Sequence, residues 1–157
     1  MPRYRERLWP APWVFAAITL VIPATLLVFW PINFVVGIVV AVVFFVGCCA
    51  LLLISSPTIE VDDRGIRAGN ARLPIAFVGE VSSHFGADAT LERGQRLDAR
   101  AWLLVRGWVA PIAKIEVTDP ADPVPYWIVS SRTPDRLASA IREAQAIGSA
   151  EPDRSDG

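Results

Sequence analysis

The sequence predicts a membrane α-helical hairpin followed by a small α+β domain, and two observations support this fold class. No charged residue lies between Arg7 and Glu60, whereas most acids and bases follow that apolar stretch. From Thr58 onward, short apolar runs alternate with turn residues, and one amphipathic helical pattern follows them. Segregation of charge on this scale is typical of a chain divided between lipid and water.

The charge-free stretch, residues 13–54, predicts two transmembrane helices, 13–30 and 34–54, with a break between them at Pro31 and Asn33. Helices of these lengths span roughly 27 and 32 Å, close to a hydrocarbon core of about 30 Å. Lipid offers backbone groups no water partner, so both runs are predicted to be helical. The short connection makes them an antiparallel hairpin. A cleaved signal peptide fits less well, because the first run is too long and a second follows directly.

Basic residues predict the orientation of this hairpin. Residues 1–12 form a basic leader, and further arginines follow the second run, whereas the connecting turn has none. The positive-inside rule therefore places both termini in the cytoplasm, with the chain crossing the membrane as a multi-pass protein. The residues that carry this prediction are Arg3, Arg5, Arg7, Arg64, Arg67 and Arg72.

The apolar runs carry signals of interfaces and of packing, but none of a transport pathway. Pro23 should kink the first helix, and the small residues Gly37 and Ala41 should let the two helices approach closely. Ionisable side chains, the usual mark of a pathway, are absent from both runs. Three tryptophans are predicted to lie at the membrane interfaces: Trp9, Trp13 and Trp30.

Residues 58–147 predict a cytoplasmic β domain that ends in a helix. The strand candidates are 58–61, 66–69, 72–73, 75–81, 101–105, 113–118 and 126–130. The polar residues 84–100 predict a mobile loop. Thr133 is the N-cap of a predicted helix at 134–147, Gly148 should stop it, and 148–157 predict a disordered tail. Antiparallel strands followed by one helix is the element order of a small pleckstrin-homology-like barrel or sheet.

Three segments resemble a known family. They are Tyr4–Pro10, Ile59–Gly69 and, most distinctively, Asp119–Arg132. The chain is similar in these segments, and to about Ala146 overall, to an actinobacterial family of two-pass membrane proteins, domain of unknown function 3093. The resemblance implies an integral membrane protein of a high-GC Gram-positive bacterium. The family has no established catalytic residues, so the resemblance implies an architecture and no site.

No catalytic, cofactor-binding or metal site is predicted. His84 is the only histidine, and a single histidine near serines does not establish a Ser-His-Asp arrangement. Cys48 and Cys49 lie in the second apolar run, away from His84, which argues against a Cys/His metal site. Four aspartates lie in turns where this residue commonly bonds the backbone: Asp62, Asp63, Asp119 and Asp122.

Two surface features have two interpretations each. Arg64, Arg67 and Arg72 are either a topology signal or contacts for anionic headgroups, worth about 1 kcal/mol each. The apolar run Trp108–Ile112 either packs in the core or contacts membrane or a partner, and packing is favoured. Nucleic acid is not an expected partner, because residues 60–157 contain more acids than bases.

We therefore expect a non-enzymatic integral membrane protein whose cytoplasmic domain binds a protein partner or lipid headgroups, without a cofactor. An alternative is a small membrane enzyme or enzyme subunit acting on a lipid or envelope precursor. Such an enzyme would draw on His84, Asp119, Asp122 and Arg132. A third hypothesis is that the hairpin assembles with other membrane subunits or as a homo-oligomer.

Overall fold

The computed structural model describes residues 3–149. The chain divides into two compact units. The helical unit is Trp9–Ser56, and the sheet unit combines Met1–Leu8 with Pro57–Gly157. The predicted division placed residues 1–12 in a separate leader, whereas the structure assigns residues 3–8 to the sheet unit.

The helical unit contains three helices: α1 (Pro12–Thr19), α2 (Val21–Phe29) and α3 (Phe34–Ile54). The bounds of α3 are those predicted from its composition. The predicted helix 13–30 is interrupted at Leu20, three residues before Pro23. Pro23 has no N–H to donate to the carbonyl of Thr19, so the interruption expected from this proline is confirmed. The side chain of Asn33 begins α3 by accepting from the amides of Val35 and Val36 at 3.0 and 3.2 Å.

Both apolar segments are long and apolar enough to span a membrane. They are Pro12–Phe29, with a mean hydropathy of 2.1, and Phe34–Ile54, with 3.0. Most of their large side chains are exposed, including Leu27 at 79% and Leu51 at 67%. An apolar surface of this extent is stable in water only when something covers it, so membrane association is indicated.

The contact between α2 and α3 depends on two small residues. Gly37 and Ala41 are the buried residues of α3. A Cβ atom on Gly37 would lie 2.9 Å from the Cβ atom of Phe29. The expected close approach at these two residues is therefore confirmed.

The first sheet of the sheet unit has four antiparallel strands in the order β1-β2-β3-β4. Strand β1 comes from the leader, which the sequence did not predict to be a strand. It alternates, with Tyr4 and Glu6 half-buried and Arg5 and Arg7 exposed, and Leu8 after it is fully buried. The strand bounds are β1 Tyr4–Arg7, β2 Thr58–Asp62, β3 Gly65–Ala68 and β4 Ala71–Pro74.

The second sheet also has four strands, in the order β5-β7-β8-β6. Pairing is antiparallel except between β6 and β8, which run parallel. Of the predicted barrel or sheet, the structure has two sheets and no closed barrel, because β4 ends at Pro74 and a 3₁₀ turn, Ile75–Phe77, carries the chain into the other sheet. The bounds are β5 Val78–His84, β6 Trp102–Leu104, β7 Ile112–Val117 and β8 Tyr126–Ser130.

Two helices complete the sheet unit. Helix α4 (Gly86–Arg93) occupies part of the predicted mobile loop at 84–100, so that prediction was wrong. Helix α5 (Pro134–Ser149) continues through Gly148, two residues beyond the predicted end. Glycine weakens a helix but does not end it where the helical backbone continues. Residues 150–157 of the predicted tail lie outside the described residues.

One apolar core joins both sheets to α5. Its fully buried side chains include Ile59, Ile115 and Ile141, one from each of these three elements. In the run Trp108–Ile112, Val109 is 2% and Ile112 is 0% exposed, whereas Ala110 between them lies at the surface. The indole Nε1–H of Trp108 donates to the carbonyl of Leu8 at 3.4 Å. Core packing of this run is therefore confirmed.

We expect the substitution Gly37→Leu to weaken the α2–α3 contact by about 1–3 kcal/mol, because the added side chain overpacks a filled space. Equilibrium unfolding of the protein in mixed detergent micelles measures the effect. Gly47→Leu is the matched control, since a Cβ atom there has nothing within 4 Å. Equal destabilisation by both substitutions would contradict this account of the contact.

Candidate functional site

The three predicted headgroup contacts lie together around one groove on the first sheet. Arg67 on β3 and Arg72 on β4 are direct cross-strand partners, and Arg64 lies in the turn between β2 and β3. The groove has a volume of about 290 Å³ and is also lined by Glu60 and Asp62. Sequence reasoning grouped these arginines by their distance from the apolar run, and the strand register brings them to one surface.

The alternation of the strands explains why this surface is polar. Ile59 and Val61 on β2 and Ile66 on β3 point into the core and are at most 1% exposed. The intervening residues therefore point outward, and the register places them in one row across the sheet. That row reads Arg5, Glu60, Arg67, Arg72. We call Arg64, Arg67 and Arg72 the arginine face.

The acids beside the arginine face already form ion pairs or hydrogen bonds with other groups. Glu60 pairs with Arg5 at 3.1 Å, and Asp63 pairs with Arg3. The carboxylate of Asp62 accepts from the amides of Arg64 and Gly65 at 3.0 and 2.9 Å, which fixes the turn. Within residues 3–149, no carboxylate lies within ion-pair distance of the guanidinium groups of the arginine face: Arg64, Arg67 and Arg72.

Glycine at position 65 allows β3 and β4 to approach closely beside the groove. A Cβ atom there would lie 2.3 Å from the carbonyl oxygen of Leu73 on β4, far inside van der Waals contact. Arg67 and Arg72 are like charges directly opposite each other on neighbouring strands, and such a pair is destabilising. The arginine face is therefore a cationic surface that an anion would stabilise.

The three predicted interface tryptophans lie at the ends of the apolar segments. Trp9 precedes α1, Trp13 is in its first turn, and Trp30 follows α2. They are 48%, 62% and 72% exposed. Their role at a membrane interface stays a prediction.

The four residues of the alternative enzyme hypothesis do not form one site. Asp119 and Asp122 accept from the amides of Ala121 and Val124 in the turn that follows β7. His84 pairs with Ile112 at the other end of β7, roughly 16 Å away along the strand. The remaining residue, Arg132, follows β8 near the same end of β7 as His84, and its amide donates to Glu6.

Glu6 belongs to a polar cluster that the sequence did not reveal. Its carboxylate accepts from the hydroxyls of Tyr4 and Ser131, both at 2.6 Å, and from the amide of Arg132 at 2.9 Å. Burial is the main cause that raises the pKa of Tyr4, and its bond to the Glu6 carboxylate adds to the effect. These bonds attach β1 to the segment before α5, which is a structural role.

A second functional candidate lies on the outer face of the second sheet, where sequence reasoning placed only a loop. His84 at the end of β5 contacts two side chains. Its Nε2 lies 2.9 Å from the hydroxyl of Ser82, and its Nδ1 lies 2.5 Å from a carboxylate oxygen of Asp88 on α4. The repeat of polar residues at His84, Asp88, Glu92 and Arg96 has helical spacing, and it was the signal that could have revealed α4.

Helix α4 is held against the sheet by charges and a few apolar side chains. Glu92 is only 4% exposed and bonds Lys114 on β7 at 2.8 Å and Arg96 at 3.1 Å. Beneath the helix, Ala89 packs with Ile112 and Ile128 in a small cluster separate from the main core.

Hydrogen bonds stabilise both carboxylates of α4 in their charged form. The bond from His84 is the largest cause that lowers the pKa of Asp88. The bond from Lys114 is the largest cause that lowers the pKa of Glu92. In both cases the donor favours the carboxylate over the neutral acid.

His84, Asp88 and Glu92 present possible ligand atoms within 4.8 Å of one another, a spacing suited to a metal ion. The chemistry of the set fits poorly, however. Arg96 and Lys114 already neutralise these two carboxylates. A metal ion would have to displace both cations, so we do not assign a metal site here.

Comparison with known families decides the classification. The family described as protein of unknown function (DUF3093) matches residues 3–141. The chain belongs to this family. The match includes the arginine face and the His84 cluster of this DUF3093 protein, and its description assigns no activity to either. The search of curated proteins and the search of solved structures found no match.

We expect Glu92→Gln to lower the free energy of unfolding of this DUF3093 protein by about 1–3 kcal/mol, because Lys114 loses its charged partner. The hydrogen bond from Lys114 favours the ionised form of Glu92, so the contribution of Glu92 to stability is lost as the pH falls from about 4.5 through its lowered pKa. The difference between wild type and variant should therefore shrink in acid, measured by denaturant unfolding at several pH values.

The exposed helix residue Glu143 provides the control for this substitution. Glu143→Gln should change the free energy of unfolding by less than about 0.5 kcal/mol at any of these pH values. A Glu92→Gln variant as stable as wild type at neutral pH would show that the ion pair does not hold α4.

Proposed function

We propose that this DUF3093 protein is a two-pass integral membrane protein whose sheet unit binds anionic lipid headgroups through the arginine face. The observation that carries the proposal is the set of three arginines around one groove, with no carboxylate of the described chain paired to them. Binding, not catalysis, is the activity that this surface supports.

The hairpin topology is supported by the pairing of β1 with β2. Arg7 and Thr58 are register partners, and the amide of Leu8 donates to the carbonyl of Pro57 at 3.0 Å. The segment between them therefore leaves the sheet and returns to it at the same place. Such a segment crosses a membrane an even number of times or not at all, and two apolar helices provide two crossings.

Orientation follows from the basic residues at both ends of this segment. The positive-inside rule puts the sheet unit, with its N- and C-terminal segments, on the cytoplasmic side of a bacterial plasma membrane. The family resemblance implies an actinobacterial cell, and the proposal adopts that source.

The short connections between the strands and the apolar helices support a headgroup as the ligand. Only residues 8–11 and 55–57 connect the strands to the apolar helices. A link of four extended residues reaches at most about 14 Å. Anionic headgroups carry phosphates that a guanidinium binds with two parallel hydrogen bonds. A groove of about 290 Å³ has room for a phosphate group.

The sheet unit supports the proposal as a binding scaffold of the pleckstrin-homology-like type. Two four-stranded sheets share one core with a C-terminal helix, which is the arrangement expected for that architecture. The parallel pairing of β6 with β8 is a departure from it. The proposal of headgroup binding does not depend on this assignment.

Replacement of the arginine face by glutamine (Arg64→Gln, Arg67→Gln and Arg72→Gln together) should weaken retention of anionic lipid about 10²-fold. Each arginine near an anionic surface contributes about 1 kcal/mol, so three contribute about 3 kcal/mol. Native mass spectrometry of the full protein, titrated with phosphatidylglycerol and with phosphatidylcholine, measures the retained lipid.

A charge-matched control uses three arginines outside the groove: Arg93, Arg100 and Arg136. Their triple replacement by glutamine changes the net charge equally and should leave lipid retention within about twofold. Equal losses in both triple variants would reject the arginine face as the binding surface. Unchanged retention in the first variant, with loss of a co-purifying protein, would favour a protein partner instead.

A reporter fused to the C-terminus should behave as cytoplasmic, because an even number of crossings keeps both ends of the sheet unit on the arginine-rich side. A fluorescent protein that folds only in the cytoplasm, paired with an enzyme that is active only outside it, measures this. The same two reporters placed after Ile32, in the connection between α2 and α3, should give the opposite pattern. External activity at the C-terminus would overturn the topology.

A further inference from the structure

The outer face of the second sheet carries a constellation that the proposed headgroup binding does not use. Ser82 and His84 lie two residues apart on β5, so both side chains point to the same face. Lys114 on β7 is the direct cross-strand partner of Ser82. These three residues, with Tyr126 beside them, line a cavity of about 380 Å³.

The contacts within the constellation run in the order of a nucleophile, a base and a group that orients the base. The Ser82 hydroxyl lies 2.9 Å from His84 Nε2, and His84 Nδ1 lies 2.5 Å from Asp88. A carboxylate only accepts hydrogen bonds, so Nδ1 carries the proton that it receives. In the neutral imidazole, Nε2 then has a free lone pair directed at the serine hydroxyl.

We propose that Ser82, His84 and Asp88 form a nucleophilic site that hydrolyses carboxylic esters small enough to enter this cavity of about 380 Å³. A serine is activated when an adjacent base is held by a third group, which is the relation seen here. The site lies on β5 and α4 of the second sheet, whereas the arginine face lies on β3, β4 and a turn of the first. The failure of one proposal would therefore leave the other unaffected.

The reaction proceeds in two balanced steps. Ser82 Oγ attacks the ester carbonyl carbon while His84 Nε2 takes the hydroxyl proton. The C–O bond to the alcohol then breaks, and His84 returns the proton to the leaving oxygen, leaving an acyl ester on Ser82. A water molecule, deprotonated by His84, attacks this ester and releases the carboxylic acid, and Ser82 recovers its proton.

Two neighbours prepare the site for this chemistry. The ammonium of Lys114 donates to Glu92 at 2.8 Å, and an ammonium has three donors. It therefore keeps N–H groups for the oxyanion that develops on the carbonyl oxygen. Lys114 also lies 4.4 Å from the centre of the Tyr126 ring, which fixes its position. Arg96 bonds the second carboxylate oxygen of Asp88 at 3.1 Å and so orients the group that holds His84.

The full protein in detergent micelles, with p-nitrophenyl butyrate as the ester and a fluorophosphonate as the trapping reagent, provides the test. Wild type should hydrolyse the ester and become labelled at Ser82, located by peptide mass spectrometry. Ser82→Ala should abolish labelling and lower kcat at least about 10²-fold. Ser83→Ala is the control, because its side chain points to the opposite face of β5, and it should keep wild-type activity.

Asp88 is a positioning residue, and its variant separates catalysis from folding. Asp88→Asn should lower kcat about 10²-fold or more with KM changed less than about twofold, in a variant that still unfolds in one cooperative transition. Hydrolysis equal in wild type and Ser82→Ala, or labelling at another residue, would overturn the proposal. Loss of hydrolysis on addition of a chelator would also overturn it, in favour of a metal ion at His84, Asp88 and Glu92.

Discussion

The pairing of β1 with β2 is the constraint on which the organisation of the chain depends. It joins the leader to a strand more than fifty positions later, since Arg7 lies opposite Thr58. Everything between them is an insertion between two neighbouring strands of one sheet. The ends of the helical segment are therefore held together by backbone hydrogen bonds, such as that from Leu8 to Pro57. A hairpin satisfies this constraint, whereas a single crossing would pull the two strands apart.

The same constraint explains the polar cluster around Glu6. A terminal strand is prone to fray unless something holds it beyond its own ladder. Glu6 bonds Ser131 and the amide of Arg132, and the hydroxyl of Tyr4 reaches Thr133 at 2.9 Å. These bonds attach β1 to the start of α5 as well as to β2. The strand that closes the helical insertion is thus held from two directions.

Features with local causes could be predicted from the sequence, and features with distant causes could not. Helix α3 matched its predicted bounds because its composition and the Asn33 cap act within the segment. The interruption near Pro23 and the burial of Gly37 also have local causes. Strand β1 was missed because its partner is far away in the sequence and its four residues include three charges. Helix α4 was missed because its support comes from Lys114 and from Ile112 and Ile128 on other strands.

For the candidate sites, the sequence predicted the arginine face as a group but could not supply its register. The cross-strand placement of Arg67 beside Arg72 depends on the turn between β3 and β4. His84 was interpreted as a single histidine near serines, since its contact with Asp88 exists only once α4 is formed. The site is formed by the end of a strand and by a helix from a largely polar stretch of sequence. Such a stretch has no apolar periodicity from which the helix could be predicted.

The balance of charge distinguishes the two sites. Beside His84, Asp88 and Glu92 each have a cationic partner, so these two acids are satisfied within the protein and hold their positions before any ligand arrives. Fixed geometry is what nucleophilic catalysis requires. On the arginine face the neighbouring acids pair elsewhere, leaving cations that gain stability only from an external anion. A surface of that kind suits binding at a charged membrane, where an anion is always near. The strand alternation that buries Ile59 and Ile66 turns the arginines outward, so the same pattern that builds the core also builds the proposed binding surface.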